Sequence, residues 1–314
     1  MPWFLPRYNE SAVMSKSKTA DKSATRRAPT LLVTGATGNI GSELAQLLAA
    51  RRVPFRAVVR ALNEPPARTL AALPGVEVVA GDFNDAASVA TALVGIERAF
   101  LLTNSTAQAE TQQLAFVELA RQAGVRYLVK QSQWAVAAGS PVRFLRYHAA
   151  VEAAVRASGL AYTFLRPNLF MQALLGFKMS IAEEGKFFAA VGEARISAVD
   201  VRDIAAAAAL TEPGHENRVY ELTGPATLTH AEMAAGLAAA LHRPVAFMDV
   251  PPAAMHDALL GLGMDAWQAE GLIEDYAHYL RGEAATVAAG VHEATGQAPR
   301  EFAAFARDYA PAFQ

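Results

Sequence analysis

Three glycines carry the strongest chemical signal in this chain. They lie in the run Thr34-Gly35-Ala36-Thr37-Gly38-Asn39-Ile40-Gly41, at G-x-x-G-x-x-G spacing. An apolar stretch precedes the run and an amphipathic stretch follows it. In such a loop Gly35 permits a tight turn, Gly38 lets the backbone approach a pyrophosphate, and Gly41 lets the following helix pack closely on the strand. Thr37, Asn39 and Ile40 complete the loop, and the free N–H groups at the helix start favour phosphate. A dinucleotide reading then turns on the end of the next strand. An acidic residue there would read a ribose 2′-hydroxyl, but the strand ends in Val58-Val59-Arg60. Arg60 lies where a guanidinium forks onto a 2′-phosphate, so NADP(H) is expected over NAD. The plainer reading of Arg60 is a solvated arginine at a strand end.

Other chemistries find little support. The chain has no cysteine, which excludes disulfides, thiolate ligands and cysteine nucleophiles. Its seven histidines are scattered, with no pair at H-x-x-x-H spacing, so no metal site is expected. There is no G-x-S-x-G elbow. Glu183 and Glu184 are adjacent and so stand about 100° apart on a helix, which suits a solvated face better than an acid/base pair. Tyr127 and Lys130 are three apart on an expected strand and point to opposite faces, so they do not form a Tyr–Lys catalytic pair. Lys130, Gln131 and Ser132 nevertheless fall at a strand's carboxyl end, where a nicotinamide pocket would be. The formal net charge is −2 with both signs dispersed, which gives no nucleic-acid surface.

These residues need a scaffold, and the pattern supplies one. Apolar strands are expected at 30–34, 55–60, 76–80, 98–103, 126–131 and 161–166, separated by helices at 40–51, 108–123 and 144–158. Leu44, Leu47 and Leu48 share one face of the first helix. Alternating strands and helices at this spacing give βαβ units, and strands that read as continuous apolar runs are buried on both faces. The expected fold is α/β, a Rossmann-type doubly wound parallel sheet. Beyond Pro167 the pattern loosens: helices at 169–185 and 202–210, a strand at 219–223, a Thr229–Glu232 capping box opening a helix to about 241, a strand at 245–250, then mostly helix. The expected organisation is an N-terminal extension over 1–29, a dinucleotide-binding domain over 30–168, and a smaller helix-rich lobe over 169–314. Some segments of that lobe, about 195–225, return to the core. In such sheets the ligand crevice lies at the carboxyl ends of the strands. No run of about 18 apolar residues is present, so no membrane span is expected. Without cysteine or a signal segment, the cytoplasm is the expected compartment.

With the glycine loop and Arg60, the phrases Gly81-Asp82-Phe83, His148-Ala-Ala-Val-Glu152, Leu165-Arg166-Pro167-Asn168, Arg195-Ile-Ser-Ala-Val-Asp-Val-Arg-Asp203 and Tyr220-Glu-Leu-Thr-Gly-Pro225 make the chain resemble the NmrA-like family of atypical short-chain dehydrogenase/reductases. The resemblance covers roughly residues 30–249. It implies that Asp82 and Phe83 flank an adenine. It also implies that Leu102, Thr103 and Asn104 border the ribose beside the nicotinamide, and that Pro167, Asn168 and Phe170 sit near the nicotinamide. Trp134, Phe170 and Met171 face the substrate on this view, or are ordinary core.

The family implies an NADPH-dependent oxidoreductase passing hydride to a quinone-like or other flat, electron-poor acceptor. The alternative is an NADP(H)-sensing regulatory protein that binds dinucleotide and a protein partner without catalysis. A monomer or homodimer fits either. Short-chain dehydrogenases generally place a Tyr and a Lys four residues apart on the helix that here spans 144–158. Phe144 and His148 hold that spacing on one face. Phe144 cannot donate a proton, and His148, with an ordinary pKa of about 6.5, is the expected catalytic residue. Two other readings of His148 stay open: a cofactor positioner, or a surface histidine paired with Glu152.

Overall fold

The computed structural model describes residues 28–209 and 214–314. Residues 1–27 of the expected extension, and Leu210 at the end of the expected 202–210 helix, lie outside the described residues.

The first half alternates as the apolar runs require. β1 (Leu31–Val33), α1 (Asn39–Ala50), β2 (Phe55–Val59), α2 (Pro65–Ala71), β3 (Val76–Ala80), α3 (Ala86–Leu93), β4 (Arg98–Leu101), α4 (Ala109–Gln122), β5 (Tyr127–Gln131), α5 (Arg143–Ala157) and β6 (Ala161–Pro167) follow in order. Then come α6 (Lys178–Glu184), β7 (Lys186–Ala189), α7 (Val201–Ala208), β8 (Arg218–Leu222), α8 (His230–Leu241), β9 (Ala246–Asp249), α9 (Pro252–Gly261), α10 (Ala266–Leu280), α11 (Gly290–Thr295) and α12 (Phe302–Asp308).

Seven strands form one parallel sheet in the order β3-β2-β1-β4-β5-β6-β8. The order reverses direction between β1 and β4, and such a reversal opens a crevice at the carboxyl ends. Successive residues of β1 serve opposite faces. Val33 joins the core under α1 and α7, whereas Leu32 joins the core under α3, α4 and α5. This explains why the strands read as near-continuous apolar runs: each face is buried by a helix layer. Leu44 and Leu48 of α1 are fully buried and Leu47 packs beside them, as the expected stripe requires.

The sequence reading missed α2, α3 and β7. The start of α3 was marked by Asp85, whose carboxylate accepts the Ala87 and Ser88 N–H groups. The helix expected over 169–185 is broken in two: a 3₁₀ segment over Met171–Phe177, then α6. The reason lies at its start. Phe170 forms a parallel bridge with Val199, and the Met171 N–H donates to the Val199 carbonyl at 2.9 Å, which holds the chain extended there. The Thr229–Glu232 capping box is present at the head of α8.

The later elements reach back over the sheet. β8 extends the main sheet beside β6, while β7 and β9 pair in a small parallel sheet of their own. α10 is clamped to the head of α5. Arg143 binds Glu274 with Nε and Nη2 at 3.1 and 2.7 Å, Glu270 at 2.8 Å, and the Trp267 carbonyl at 3.1 Å. Gly271 makes the approach possible, since a Cβ there would stand 2.4 Å from the Phe144 ring. Among the described residues, no helix is long and apolar enough to cross a membrane.

Candidate active site

A cleft of about 960 Å³ opens at the carboxyl ends of β1, β2, β4, β5 and β6, and α10 closes its far side. The glycine loop forms one end. The Thr34 hydroxyl ties the loop to β4, lying 2.8 Å from the Leu102 N–H and 3.0 Å from the Leu102 carbonyl. Gly35 has φ +63°, which a residue with a Cβ seldom adopts, and its carbonyl accepts the Gly38 N–H at 3.0 Å. Gly41 sits behind the loop rather than on the cleft wall. A Cβ there would lie 2.1 Å from the Gly35 carbonyl oxygen, so loop and helix can close only on glycine.

The first turn of α1 is chemically open. Gly38 is its N-cap, no side chain caps the free N–H groups, and no acidic residue stands in the turn. Thr37, Gly38 and Asn39 are exposed there, and Ile40 lies at the wall. Open N–H groups with no competing carboxylate are what an anion needs.

The other expected residues line the cleft in sequence. Arg60 is exposed at the end of β2. Asp82 and Phe83 follow β3, with the Phe83 ring packed 5.7 Å from Phe116. Leu102, Thr103 and Asn104 follow β4, and Thr103 accepts a bond from Gln113 at 2.8 Å. Gln131 and Ser132 end β5, and Pro167, Asn168 and Phe170 end β6. Trp134 also reaches the wall, but its indole N–H is spent on the Glu283 carbonyl at 2.8 Å. Two expectations are corrected. Met171 is buried in the core with Leu174, Ile181 and Phe187, against Gly224, and is not on the wall. Lys130 is wholly buried behind His148 and is not on the wall either.

Residues 27–302 match the model of the NmrA-like family. The chain belongs to the NmrA-like family. An NAD(P)H azoreductase from Xenophilus azovorans is 39% identical over 289 residues, covering 90% of this chain and 99% of the relative. An NADPH-dependent quinone oxidoreductase from Escherichia coli, solved with NADPH, aligns with a TM-score of 0.78 at 28% identity, over 88% of this chain and 99% of that one. Triphenylmethane reductase from Citrobacter sp., solved with NADP(H), aligns with a TM-score of 0.77 at 29% identity, over 89% and 99%.

In this NmrA-like chain the electrostatics of the inner cleft differ from the sequence expectation. His148 lies on the wall, yet it is buried, and its Nδ1 is 2.8 Å from Lys130 Nζ. Burial first, and Lys130 second, drive its pKa well below 6.5. It is therefore a neutral imidazole near pH 7, not the titrating acid expected. An ammonium at Lys130 has only donors, so it assigns the proton to Nε2 and leaves Nδ1 accepting. Burial pulls Lys130 itself down to about 7, with Glu152 opposing.

The alternative pairing of His148 with Glu152 is also absent. Glu152 accepts the Ser132 hydroxyl at 2.6 Å and bonds from Arg166 at 3.0 and 2.6 Å and Arg156 at 3.0 Å. Burial pushes its pKa up, but these partners more than offset it, and the carboxylate stays ionised.

Sequence reasoning missed several wall residues, four of them titratable. Tyr147 precedes His148 and bonds the Ser105 hydroxyl at 2.9 Å, its ring 4.1 Å from the imidazole. Its position three residues after Phe144 was the available signal, since both fall on one helix face. Asp275, His278 and Tyr279 come from α10. No local pattern marks them, because only the docking of α10 on α5 brings them to the strand ends.

Proposed function

We propose that this NmrA-like chain is an NADPH-dependent reductase that passes hydride to a flat, electron-poor acceptor of the quinone or azo-dye class. One observation carries the reading. The open helix start and Arg60 share a single cleft with an inner chamber walled by Trp134, Phe144, Tyr147 and Phe170. The residues fit the dinucleotide. A loop that only glycine can close leaves the first turn of α1 open for pyrophosphate, and the exposed Arg60 stands at the 2′-phosphate end without a carboxylate at that strand end. Bound NADPH supplies the hydride. The protein holds the phosphates at one end, stacks the acceptor among aromatic side chains at the other, and excludes water between them. The azoreductase and the two dye and quinone reductases with matching folds support the same reading.

The test is NADPH oxidation by purified protein across a panel of quinones and azo dyes. Turnover is expected with at least one flat acceptor. Tight NADPH binding with no turnover across the panel would overturn the reductase in favour of a dinucleotide sensor.

A second measurement checks cofactor choice. NADPH should bind more tightly than NADH, and Arg60→Ala should erase most of the difference. A charge-assisted bond to phosphate contributes roughly 1.5–3 kcal/mol, or about tenfold to a hundredfold. Equal affinity for the two cofactors in the parent protein would contradict the role of Arg60.

A further inference from the structure

Two-electron reduction of a quinone-like acceptor takes a proton as well as a hydride, and the cleft must supply it. The obvious donors are poorly suited. His148 is neutral, with Nδ1 bonded to Lys130. Burial pushes the Tyr147 phenol well up, which makes it a weaker acid. His278 has its Nδ1 2.5 Å from the Glu283 carboxylate and lies below its ordinary pKa. Lys130 is wholly buried, with its Nζ held by the His148 imidazole and the Gln131 carbonyl.

We propose that Asp275 is the acid that delivers this proton, reaching over the acceptor from α10. The inference rests on the reductase reading above. Asp275 is on the cleft wall, 6% exposed, and faces the strand ends across the chamber. Gln133 Nε2, two residues beyond β5, lies 3.1 and 3.0 Å from its two oxygens, and the Tyr279 hydroxyl donates at 3.2 Å. The Arg143 clamp on the adjacent Glu274 and the Gly271–Phe144 contact fix the carboxyl relative to α5.

The charged and titratable groups that face it are Tyr147 from α5, and Glu274, Tyr276 and Tyr279 on its own helix. Among the described residues no salt bridge reaches it; Arg143 on the facing helix binds Glu274 and Glu270 instead. A carboxyl desolvated beside phenols and a carboxylate keeps its proton, and here it does so to about pH 7.

The step balances. The acceptor gains two electrons with the hydride, the Asp275 O–H bond breaks, and an O–H bond forms on the acceptor oxygen that carries the charge. The carboxylate left behind takes a proton from solvent. The net reaction is NADPH, acceptor and one proton giving NADP⁺ and the doubly hydrogenated acceptor.

The experiment compares the parent, Asp275→Asn and Gln133→Leu. In the parent, kcat should be highest below about pH 7 and fall above it, where Asp275 has lost its proton. Asp275→Asn should lower kcat by about 10²–10⁴-fold, abolish that fall, and leave the NADPH Kd unchanged. Gln133→Leu removes a donor that favours the charged carboxylate, so the alkaline fall should move to higher pH. In the apo protein, the protonated-carboxyl infrared band that disappears as pH rises through 7 should be missing from Asp275→Asn. An Asn variant within a few-fold of the parent, with the same pH profile, would overturn the assignment. So would an unchanged limb in Gln133→Leu, or loss of the limb in Lys130→Met instead. A parent without any acceptor turnover would remove the reductase reading, and this inference with it.

Discussion

Replacing Gly38 with valine should abolish NADPH binding and leave the fold intact. Gly38 has φ −85° and ψ 178°, an extended conformation that valine adopts readily. A Cβ at Gly38 would meet only the Gly35 carbonyl oxygen, at 3.4 Å, an ordinary contact. The protein therefore tolerates the side chain, but the pyrophosphate that must lie against this backbone does not. Several bonds from the helix start are lost together, so the affinity should fall by at least a hundredfold, at about 1.4 kcal/mol per factor of ten. Gly41 makes the contrast. A Cβ there would strike the Gly35 carbonyl at 2.1 Å, so substitution at Gly41 damages the loop itself. An NADPH titration together with a thermal melt separates the two effects. A Gly38→Val protein that melted like the parent and still bound NADPH normally would show that the loop does not hold the dinucleotide.

What could be read from the sequence follows from how local each signal is. The parallel sheet was legible because strands buried on both faces must be largely apolar, and Leu31–Val33 of β1, Ala57–Val59 of β2 and Tyr127–Val129 of β5 give such runs. The phosphate end of the cleft was legible for the same reason: loop, helix start and Arg60 come from one βαβ unit. The inner chamber was not. Asp275 and Gln133 are 142 residues apart and meet only because Gly271 lets α10 settle on Phe144. The properties of His148 were hidden in a similar way. The spacing from Phe144 pointed to His148, which lines the cleft, but its charge is decided by burial first and by Lys130, from a different element, second. An ordinary pKa can be assumed for a sequence position only while nothing is known of its burial.

The same Asp275 that the cleft keeps protonated should make the protein less stable as pH rises. Its carboxyl is held at about 7 against an ordinary 3.8, because burial penalises the charged form. The folded state thus binds more protons than the unfolded chain between these values. Its contribution is fully present below pH 4, declines as pH rises, and is lost above about 7. Moving a carboxyl that far is worth about 4 kcal/mol. The whole stability curve will not show this alone, because the buried His148, His230 and Lys130 act in the opposite sense. Their pKa values are lowered by burial, so the fold resists their protonation and gains stability as pH rises towards their ordinary values. A difference between variants removes those contributions. Asparagine keeps the shape of Asp275, offers Gln133 and Tyr279 an acceptor oxygen, and carries no charge at any pH. In urea melts of the apo protein, Asp275→Asn should match or fall slightly below the parent at pH 4. It should become more stable than the parent by up to about 4 kcal/mol at pH 8. A constant difference across that range would mean that Asp275 is an ordinary ionised carboxylate in the folded protein, and so no acid at neutral pH. A growing difference, joined to lost turnover, would show a site that gives up stability to keep a proton where the chemistry uses it.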